Sequence, residues 1–353
     1  MTNNEIINLI KAMDVGDINL MEVCGTHTHA IAKSGIKHIL PENIHLLSGP
    51  GCPVCVTPWE VIDAFLELSL NPNVIITTYG DMIRVPGSAP GDNLTKRRAM
   101  GANVKVVYSP VDAIQIAKEN PDKEIVFLGV GFETTAPGTA MAIKLAKEQN
   151  VKNFSVLSML KSAAPSIKAL ISDKDFNVNG FILPGHVAVI VGEDGFKFLE
   201  NDYKIPSVIT GFEPEDILKS IYNLTSQIKN SDGKVLNEYT RLVKPSGNTL
   251  ALEAINEMFE LCDDNWRGLG EIPMSGFKIK DEFSEFDAKK KFNISYKKAN
   301  VNNGCKCGDV IKGVLDPTFC PLFGKACNPE DPVGPCMVSG EGACSAAYKY
   351  RDI

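Results

Sequence analysis

The dithiol motif Cys-Pro-Val-Cys is the stretch of this sequence whose residue types and spacing most directly predict chemistry. Cys52 and Cys55 lie between an apolar run at 44–48 and a helix-like run that begins at 58. Peptide N–H groups at the start of a helix stabilise a thiolate and make it reactive. Half of a structural metal knuckle would need a second Cys-x-x-Cys pair, which the sequence lacks. The motif therefore favours redox chemistry or transient metal binding.

A second group of ligand-type side chains, in the sequence Cys-Gly-Thr-His-Thr-His, follows the first predicted strand. Cys24 and His27 stand at the strand end, and His29 comes two residues later. A thiol and an imidazole can bind a soft or borderline metal such as Fe(II) or Zn(II). They can equally form a Cys/His nucleophile pair. The simpler alternative, in which one histidine caps a helix while the other packs, applies mainly to His29.

The C-terminal segment is dense in cysteine, glycine and proline. Its six cysteines, of ten in the chain, are Cys305, Cys307, Cys320, Cys327, Cys336 and Cys344. Such a segment buries too little apolar surface to order itself, so we expect a cross-link. Zinc favours paired Cys-x-x-Cys ligands, and this tail has none. Wide, irregular spacing without histidine favours a [4Fe–4S] cluster over zinc or disulfides and leaves two cysteines that could pair nearby.

Glu133 and His186 are further candidates for catalytic side chains. Glu133 lies in Gly-Phe-Glu-Thr-Thr-Ala-Pro after the fifth predicted strand, and His186 lies in Pro-Gly-His after the seventh. Each residue type in such a turn is more often a helix cap or a turn residue than a catalyst. The glycine-rich stretches match neither a P-loop nor a dinucleotide fingerprint, so no bound nucleotide is predicted.

The elements that must position these side chains alternate between short apolar runs and helical patterns from residue 19 to residue 230. Continuously apolar runs are typical of parallel strands covered on both faces. The predicted strands are 19–24, 44–48, 74–79, 104–108, 124–130, 154–160, 178–183 and 207–210, and the predicted helices include 58–70, 111–120, 138–149 and 213–229. Ligands bind at the carboxyl ends of parallel strands, so we expect the turns after strands one, two, three, five and seven to line one cleft.

We predict an α/β fold in which two similar parallel-sheet domains face each other across a cleft. Residues 1–120 would form the domain with Cys24 and the dithiol, and residues 121–240 the domain with Glu133 and His186, each with four strands. Residues 241–353 would form a mostly helical and loop-rich iron–sulfur domain. In that last part, the pattern at 248–263 predicts a helix that buries Cys262.

Length and composition limit the class of protein. A chain of 353 residues is expected to form two or three domains. A net charge of −7 gives no support for binding nucleic acid or an anionic membrane. No run approaches the ~20 apolar residues of a membrane span, and the first residues do not resemble a signal peptide. We therefore predict a cytoplasmic protein whose cysteines are metal ligands or redox thiols rather than a disulfide framework.

The motifs in combination resemble the HypD family of hydrogenase maturation factors over nearly the whole chain. They are CGTHTH (24–29), GPGCPVCVTP (49–58), GFETTAP (131–137), PGHV (184–187) and the cysteine tail. The resemblance implies a protein that works with the small chaperone HypC to assemble the iron, cyanide and carbon monoxide group, Fe(CN)2CO, of the [NiFe] hydrogenase centre. It also implies three domains, two similar α/β units and a cluster domain.

The resemblance further implies roles for individual cysteines. The family's cluster spacing, Cys-x14-Cys-x6-Cys-x16-Cys, falls on Cys305, Cys320, Cys327 and Cys344. That leaves Cys307 and Cys336 as a neighbouring redox pair. Transient Fe(II) would be held by Cys24 and a HypC cysteine, with His27 as a candidate second ligand from this chain.

A relay of electrons would connect the three sets of thiols. If cyanide arrives as a thiocyanate on a cysteine of a HypE-like partner, its release as cyanide requires two electrons. A cubane passes one electron at a time, whereas a dithiol holds two. We therefore expect electrons to pass from the cluster through Cys307 and Cys336 to Cys52 and Cys55, which also remain candidate iron ligands.

Two other functions are compatible with the same residues. One is a stand-alone iron–sulfur thiol/disulfide oxidoreductase, in which Cys52 and Cys55 act on a protein or small disulfide. The other is a scaffold whose cluster only cross-links the tail. Of these functions, we expect a redox-active metallocofactor assembly protein rather than a conventional turnover enzyme.

Overall fold

The computed structural model describes residues 2–299 and 304–351, which contain two parallel sheets and an antiparallel hairpin. The strands are β1 (Ile18–Glu22), β2 (Ile44–Ser48), β3 (Val74–Thr78), β4 (Asn103–Val106), β5 (Glu124–Gly131), β6 (Phe154–Leu160), β7 (Gly180–Pro184), β8 (Ser207–Thr210), β9 (Val235–Asn237), β10 (Phe259–Trp266) and β11 (Gly270–Ile279). The eight strands predicted from the sequence are confirmed as β1 to β8. Their ends differ from the predicted ends by at most two residues.

Helices connect these strands. They are α1 (Asn3–Lys11), α2 (Gly25–Ser34), α3 (Ile36–Ile39), α4 (Pro53–Val56), α5 (Trp59–Leu68), α6 (Leu94–Ala99), α7 (Pro110–Glu119), α8 (Ala136–Glu148), α9 (Ala163–Ile171), α10 (Gly185–Val191), α11 (Pro214–Asn230), α12 (Thr249–Met258), α13 (Ala288–Lys291), α14 (Cys307–Ile311) and α15 (Ala343–Lys349). The four predicted helices are confirmed as α5, α7, α8 and α11.

Local sequence explains where these elements begin and what they bury. All five residues of β3 are buried, and so are the seven residues of β5 after Glu124, as expected of strands covered on both faces. Helix α7 starts at a capping box in which Ser109 and Asp112 bond to each other's peptide N–H groups, with Pro110 as its first residue. A proline fits there because the first helical N–H has no partner within the helix.

The two parallel sheets share one strand order. The five-stranded sheet has the order β2-β1-β7-β8-β9, and the four-stranded sheet has the order β4-β3-β5-β6. Numbered along the chain within each sheet, these orders are 2-1-3-4-5 and 2-1-3-4. The direction of winding therefore reverses between β1 and β7 in one sheet and between β3 and β5 in the other. Such switch points are where open parallel sheets bind ligands.

The predicted division into two contiguous four-stranded halves is wrong. The five-stranded sheet takes its first two strands from residues 18–48 and its last three from residues 180–237, so that the whole four-stranded sheet is inserted between them. Apolar runs identify strands, but they do not state which strands are neighbours. The chain passes from one sheet to the other through α5 and returns through α9.

The predicted helix at 248–263 is only half correct. Helix α12 ends at Met258, and the chain continues as β10, which pairs antiparallel with β11. Cys262 therefore lies on a strand and is partly exposed rather than buried in a helix. The stretch becomes a strand because β11 offers it a hydrogen-bonding partner, which periodicity within the stretch itself does not reveal.

The cysteine-rich tail is irregular apart from short helices, and it packs on the edge of the five-stranded sheet. Helix α15 contacts α2, and Gly313 lies against Met21 and Leu47. Lys312 forms an ion pair with Asp173 at 2.5 Å. Separately, no helix among the described residues is both long and apolar enough to cross a membrane.

An ion pair between Lys161 and Asp264 ties the β10–β11 hairpin to the end of β6. The Lys161 ammonium lies 2.6 Å from the Asp264 carboxylate and 3.0 Å from the Asn265 carbonyl, and its side chain is 2% exposed. Substitution D264A leaves that buried cation without its counter-ion. We expect the free energy of unfolding in urea to fall by about 2 to 3 kcal/mol.

The matched control is E257A. It removes a partner of Lys144 from an ion pair whose side chains are 41% and 47% exposed. This change should cost less than about 0.5 kcal/mol, because water screens an exposed pair. A D264A effect as small as that of E257A would contradict the role assigned to the buried pair.

Candidate functional site

A cavity of about 210 Å³ lies between the carboxyl ends of the two parallel sheets. Its wall consists of the segments that follow β1, β2, β3, β5, β6 and β7, together with Glu341 from the tail. Four of these strands flank the two switch points, so the cavity lies where sheets of this kind bind ligands. The five turns predicted to share a cleft all contribute to this wall.

Cys24 lines this cavity at a point where three backbone segments lie close together. It precedes α2 as its N-cap residue and is 7% exposed. Gly51 lies directly against the backbone of Cys24, and Gly25 lies against Glu341, so a Cβ atom at either glycine would overlap those neighbours. The Gly25 N–H donates to the Gly51 carbonyl at 3.1 Å. The first-strand turn, the dithiol turn and the tail therefore meet at Cys24 because both glycines lack side chains.

Without a cation beside it, the Cys24 side chain strongly favours the neutral thiol over the thiolate. Burial, followed by the negative charge of Glu341, raises its pKa to about 12. The peptide N–H groups of Thr26 and His27 at the start of α2 act in the opposite direction, but more weakly. A metal ion that binds this sulfur must displace its proton, so that binding would release a proton.

Glu22 is a buried carboxyl group that holds the Cys24 backbone in place. One carboxylate oxygen accepts a hydrogen bond from the Cys24 N–H at 3.0 Å, and the other accepts from the Thr28 hydroxyl at 2.5 Å. Burial raises the pKa of Glu22 to about 7, although these hydrogen bonds oppose the shift. The carboxyl group therefore connects the end of β1 to the first turn of α2.

Of the two candidate histidines, His186 lines the cavity and His27 does not. Both rings stack on Phe212, with centroid distances of 4.5 Å for His27 and 4.0 Å for His186. His27 is fully buried, and its Nε2 lies 2.9 Å from the Gly211 carbonyl, which can only accept. Nε2 therefore carries the proton, and the buried Nδ1 has no hydrogen-bond partner among the residues that the structure describes. Burial lowers the pKa of His27 to about 4.

Glu133 also lies outside the cavity wall. Its carboxylate accepts hydrogen bonds from the Ser162 hydroxyl at 2.7 Å and the Ala163 N–H at 3.0 Å, at the start of α9. Burial raises its pKa, and these hydrogen bonds oppose the shift. In this position Glu133 caps a helix, while its neighbours Phe132 and Thr134 face the cavity.

The dithiol residues Cys52 and Cys55 are joined in a disulfide at the start of α4. Both residues are buried, with exposures of 5% and 1%. The Cys55 N–H donates to the Cys52 sulfur at 3.1 Å, and that sulfur lies 3.3 Å from the Ser339 hydroxyl of the tail. The pair therefore contacts both the N-terminus of a short helix and the cysteine-rich segment.

A second, smaller cavity connects the dithiol to the tail. Its wall includes Cys52 and Cys55 on one side and Cys336 on the other, and Glu341 lines both this cavity and the larger one. The sulfur of Cys336 is 2.7 Å from that of Cys307. Of the pair predicted to reduce the dithiol, Cys336 therefore lines the same cavity as Cys52 and Cys55, and Cys307 lies behind it.

All six tail cysteines line a third cavity, of about 20 Å³. The crowding of sulfurs is evident at Cys344, where burial, followed by the charges of four neighbouring cysteines, raises the thiol pKa well above its ordinary value. Several buried thiolates without a cation would be prohibitively unfavourable. The Cys344 thiol therefore stays protonated at neutral pH unless a bound metal replaces its proton.

The donor set of the tail fits a [4Fe–4S] cluster. Each iron of such a cluster takes one thiolate, so its ligands surround a cavity rather than a point. Cys305, Cys320, Cys327 and Cys344 are the four that would hold it, with Cys307 and Cys336 beside them. In residues 2–299 and 304–351, no three His, Cys, Asp or Glu side chains are grouped as ligands of a single metal ion. A mononuclear iron at Cys24 would consequently need ligands from another molecule.

The sequence interpretation missed three residues that shape these sites: Glu22, Glu341 and Arg267. An acidic residue within the apolar first strand was a usable signal for Glu22. Glu341 and Arg267 carry no such signal, because each becomes part of the site only when distant segments pack together. Glu341 enters the cavity wall through contacts with Gly25, more than three hundred positions earlier in the sequence.

The charge of Glu341 gives a testable pH dependence. Burial, followed by the charge of Asp81, raises the pKa of Glu341 to about 7, so the side chain is mostly ionised at pH 8.5 and mostly protonated at pH 6. E341Q removes the charge and keeps the shape. We expect alkylation of Cys24 by iodoacetamide to be about threefold to tenfold faster in E341Q at pH 8.5. At pH 6 the two rates should agree within about twofold.

Peptide mass spectrometry after timed alkylation measures these rates. E260Q, a neutralisation on the exposed side of β10, serves as the control and should leave the Cys24 rate unchanged at both pH values. Equal rates for E341Q and the unsubstituted protein at pH 8.5 would show that Glu341 does not control this thiol.

Comparison with known proteins agrees with the arrangement of these motifs. The family model described as "HypD: Hydrogenase formation hypA family" matches residues 2–351. The hydrogenase maturation factor HypD of Cupriavidus necator is 44% identical over 339 residues, covering 94% of this chain and 89% of the relative. HypD of Escherichia coli is 42% identical, covering 95% and 89%, and HypD of Azotobacter vinelandii is 42% identical, covering 94% and 89%. The chain therefore belongs to the HypD family of hydrogenase maturation factors.

Proposed function

We propose that this chain assembles the Fe(CN)2CO group by holding iron at Cys24 and by supplying electrons for cyanide transfer from its other cysteines. The observation that carries the proposal is a row of three cavities in which each cavity shares a lining residue with the next. Glu341 is common to the first and second, and Cys336 is common to the second and third. A cavity for the cargo, a dithiol and a thiol-rich tail are thereby in contact with one another.

The larger cavity suits a small iron group held jointly with a partner. Cys24 is the thiol of this chain that lines it, and His186 is an exposed imidazole on the same wall. A thiolate donates charge to iron, which strengthens back-bonding to cyanide and carbon monoxide. The remaining ligands would come from a HypC-like chaperone, whose cysteine would enter through the open side of the cleft.

The dithiol suits the two-electron step. A cyanide that arrives as a thiocyanate on a HypE-like partner is released when Cys52 and Cys55, both reduced, give up two electrons and two protons. The S–C bond of the thiocyanate breaks, the partner regains a thiol, hydrogen cyanide is released to the iron, and a Cys52–Cys55 disulfide forms. The disulfide in the structure corresponds to the product side of this step.

The tail suits the return of the dithiol to its reduced form. The Cys336 thiolate attacks one sulfur of the Cys52–Cys55 disulfide and forms a mixed disulfide with it. Cys307 then attacks the Cys336 sulfur, which breaks the mixed disulfide, returns Cys52 and Cys55 to the reduced dithiol and forms a Cys307–Cys336 disulfide. A [4Fe–4S] cluster, when bound, supplies single electrons to reduce that pair, two per turnover, from an external one-electron donor. Burial of all four sulfurs protects the exchange from other thiols.

Infrared spectroscopy of the anaerobically purified complex tests the proposal most directly. Co-expressed with a HypC-like partner under maturation conditions, the chain should show cyanide and carbonyl stretching bands, and C24A should show neither. Absence of the bands from the unsubstituted complex would contradict the proposal. Disulfide reduction by the unsubstituted protein, in a complex that lacks those bands, would support the stand-alone oxidoreductase instead.

The relay predicts a specific defect in C336A. This variant keeps the four proposed cluster ligands but cannot reduce the Cys52–Cys55 disulfide, so the infrared bands should fall by about tenfold or more while cubane absorption remains. C262A, which removes a cysteine of the hairpin instead, should leave both signals intact. Normal assembly in C336A would disprove the relay, and loss of cubane absorption would mean that Cys336 is itself a ligand.

A further inference from the structure

Arg267 is a buried cation at the junction between the dithiol helix and the cysteine-rich tail. It lies in the turn between β10 and β11 and is 9% exposed. Long charged side chains are rarely buried this far unless an opposite charge or a set of hydrogen bonds compensates them. What compensates Arg267 is therefore informative about its function.

One side of the guanidinium fixes the segment that follows the dithiol. Nε and Nη2 both donate to the Thr57 carbonyl, at 2.9 Å and 2.6 Å, and the guanidinium carbon lies 3.8 Å from the centre of the Trp59 ring. The Arg267 peptide N–H donates to the Val56 carbonyl at 2.8 Å. The C-terminal end of α4, which carries Cys55, and the first residue of α5 are thus both tied to the hairpin by Arg267.

The other side of the guanidinium faces the tail. Nη1 is buried and has no hydrogen-bond partner within residues 2–299 and 304–351. Arg267 also lines an outer cavity, of about 430 Å³, together with Cys305 and Cys307. The neighbouring Gly268 touches the backbone of Gly308 in α14, and this contact requires that neither residue has a side chain.

The Arg267 guanidinium is close enough to the tail sulfurs for their charges to interact. Burial lowers the pKa of Arg267, and the charges of Cys307, Cys336 and Cys305 oppose that shift. A hydrogen bond to one neutral carbonyl compensates a buried cation poorly, whereas a negatively charged sulfur site next to Nη1 compensates it well.

We propose that Arg267 is a positioning residue for electron transfer, which ties the dithiol helix to the tail and directs its Nη1–H and positive charge at the tail sulfurs. The inference rests on the proposed function only in that those sulfurs carry electrons. Reduction would add one negative charge to a bound cluster. A Cys307–Cys336 disulfide that takes up two electrons and one proton would likewise gain one negative charge, because its S–S bond breaks to leave a thiol hydrogen-bonded to a thiolate across the 2.7 Å that separates the two sulfurs. A fixed cation beside the site stabilises the reduced form.

Redox titration of the anaerobically reconstituted full chain tests this inference, with cluster absorption as the signal. In R267Q, which lacks the charge, we expect the ratio of reduced to oxidised cluster at a fixed potential to fall about tenfold, equivalent to about 59 mV for a one-electron couple. R267K keeps the charge and loses the forked geometry, so it should stay within about threefold of the unsubstituted protein and should melt at a lower temperature. R241Q removes an exposed arginine paired with Asp216 and should change neither property.

A second measurement needs no bound cluster. In the unloaded chain equilibrated with glutathione buffers, R267Q should shift the Cys307–Cys336 pair about tenfold towards the disulfide, equivalent to about 30 mV for two electrons. Peptide mapping after alkylation quantifies that pair separately from Cys52 and Cys55.

The outcomes separate this inference from the proposed function. An unchanged potential and an unchanged disulfide ratio in R267Q would overturn the role of Arg267, and so would a shift in R267K as large as that in R267Q. If R267Q does not fold, a large shift in the potential of R267K would still overturn the role, because charge control requires R267K to retain its potential. A shifted potential in R267Q together with normal cofactor assembly in C336A would leave the role of Arg267 intact and remove the relay.

Discussion

The absence of side chains at Gly25 and Gly51 is the constraint on which the rest of this structure depends. Gly51 allows the dithiol turn to lie on the backbone of Cys24, and Gly25 allows the tail to approach the same point through Glu341. A methyl group at either position would overlap main-chain atoms, which have no freedom to move aside. Three segments that are far apart in sequence thereby form one site, and the cavity, the dithiol and the tail become neighbours.

Bringing these segments together buries many ionisable groups that are unfavourable alone. The thiols of Cys24 and Cys344 and the carboxyls of Glu22 and Glu341 all have pKa values raised by burial or by neighbouring negative charges. A cation relieves this electrostatic cost, because bound metal replaces the protons and neutralises the thiolates. Arg267 supplies a permanent cation at the edge of the same group. The proposed metal binding and electron transfer both depend on this grouping of buried thiols and carboxyls beside a fixed cation.

The fold was largely predictable at the level of elements, and its connectivity was not. Eight strands and four helices followed from apolar runs and helical periodicity, and a shared cleft followed from where polar turns fell relative to strand ends. The interleaving of the two sheets was not predictable, since a strand's neighbours are chosen by packing of helices over distances that no local pattern reports. The change from helix to strand at Met258 has the same origin, because β11 supplies the partner of β10.

The sequence by itself determined which residue types this protein has for chemistry: a dithiol in a turn, a cysteine after the first strand and a cysteine-rich tail, in a combination that indicates the HypD family. Only the tertiary structure decided how these residues are arranged relative to one another. It turned Glu133 and His27 away from the cavity, left His186 on its wall, and placed Glu341 and Arg267 at the junctions between thiol sets. The physical reason is that motifs record short-range spacing, whereas a buried charge or a contact with a glycine depends on segments hundreds of residues apart.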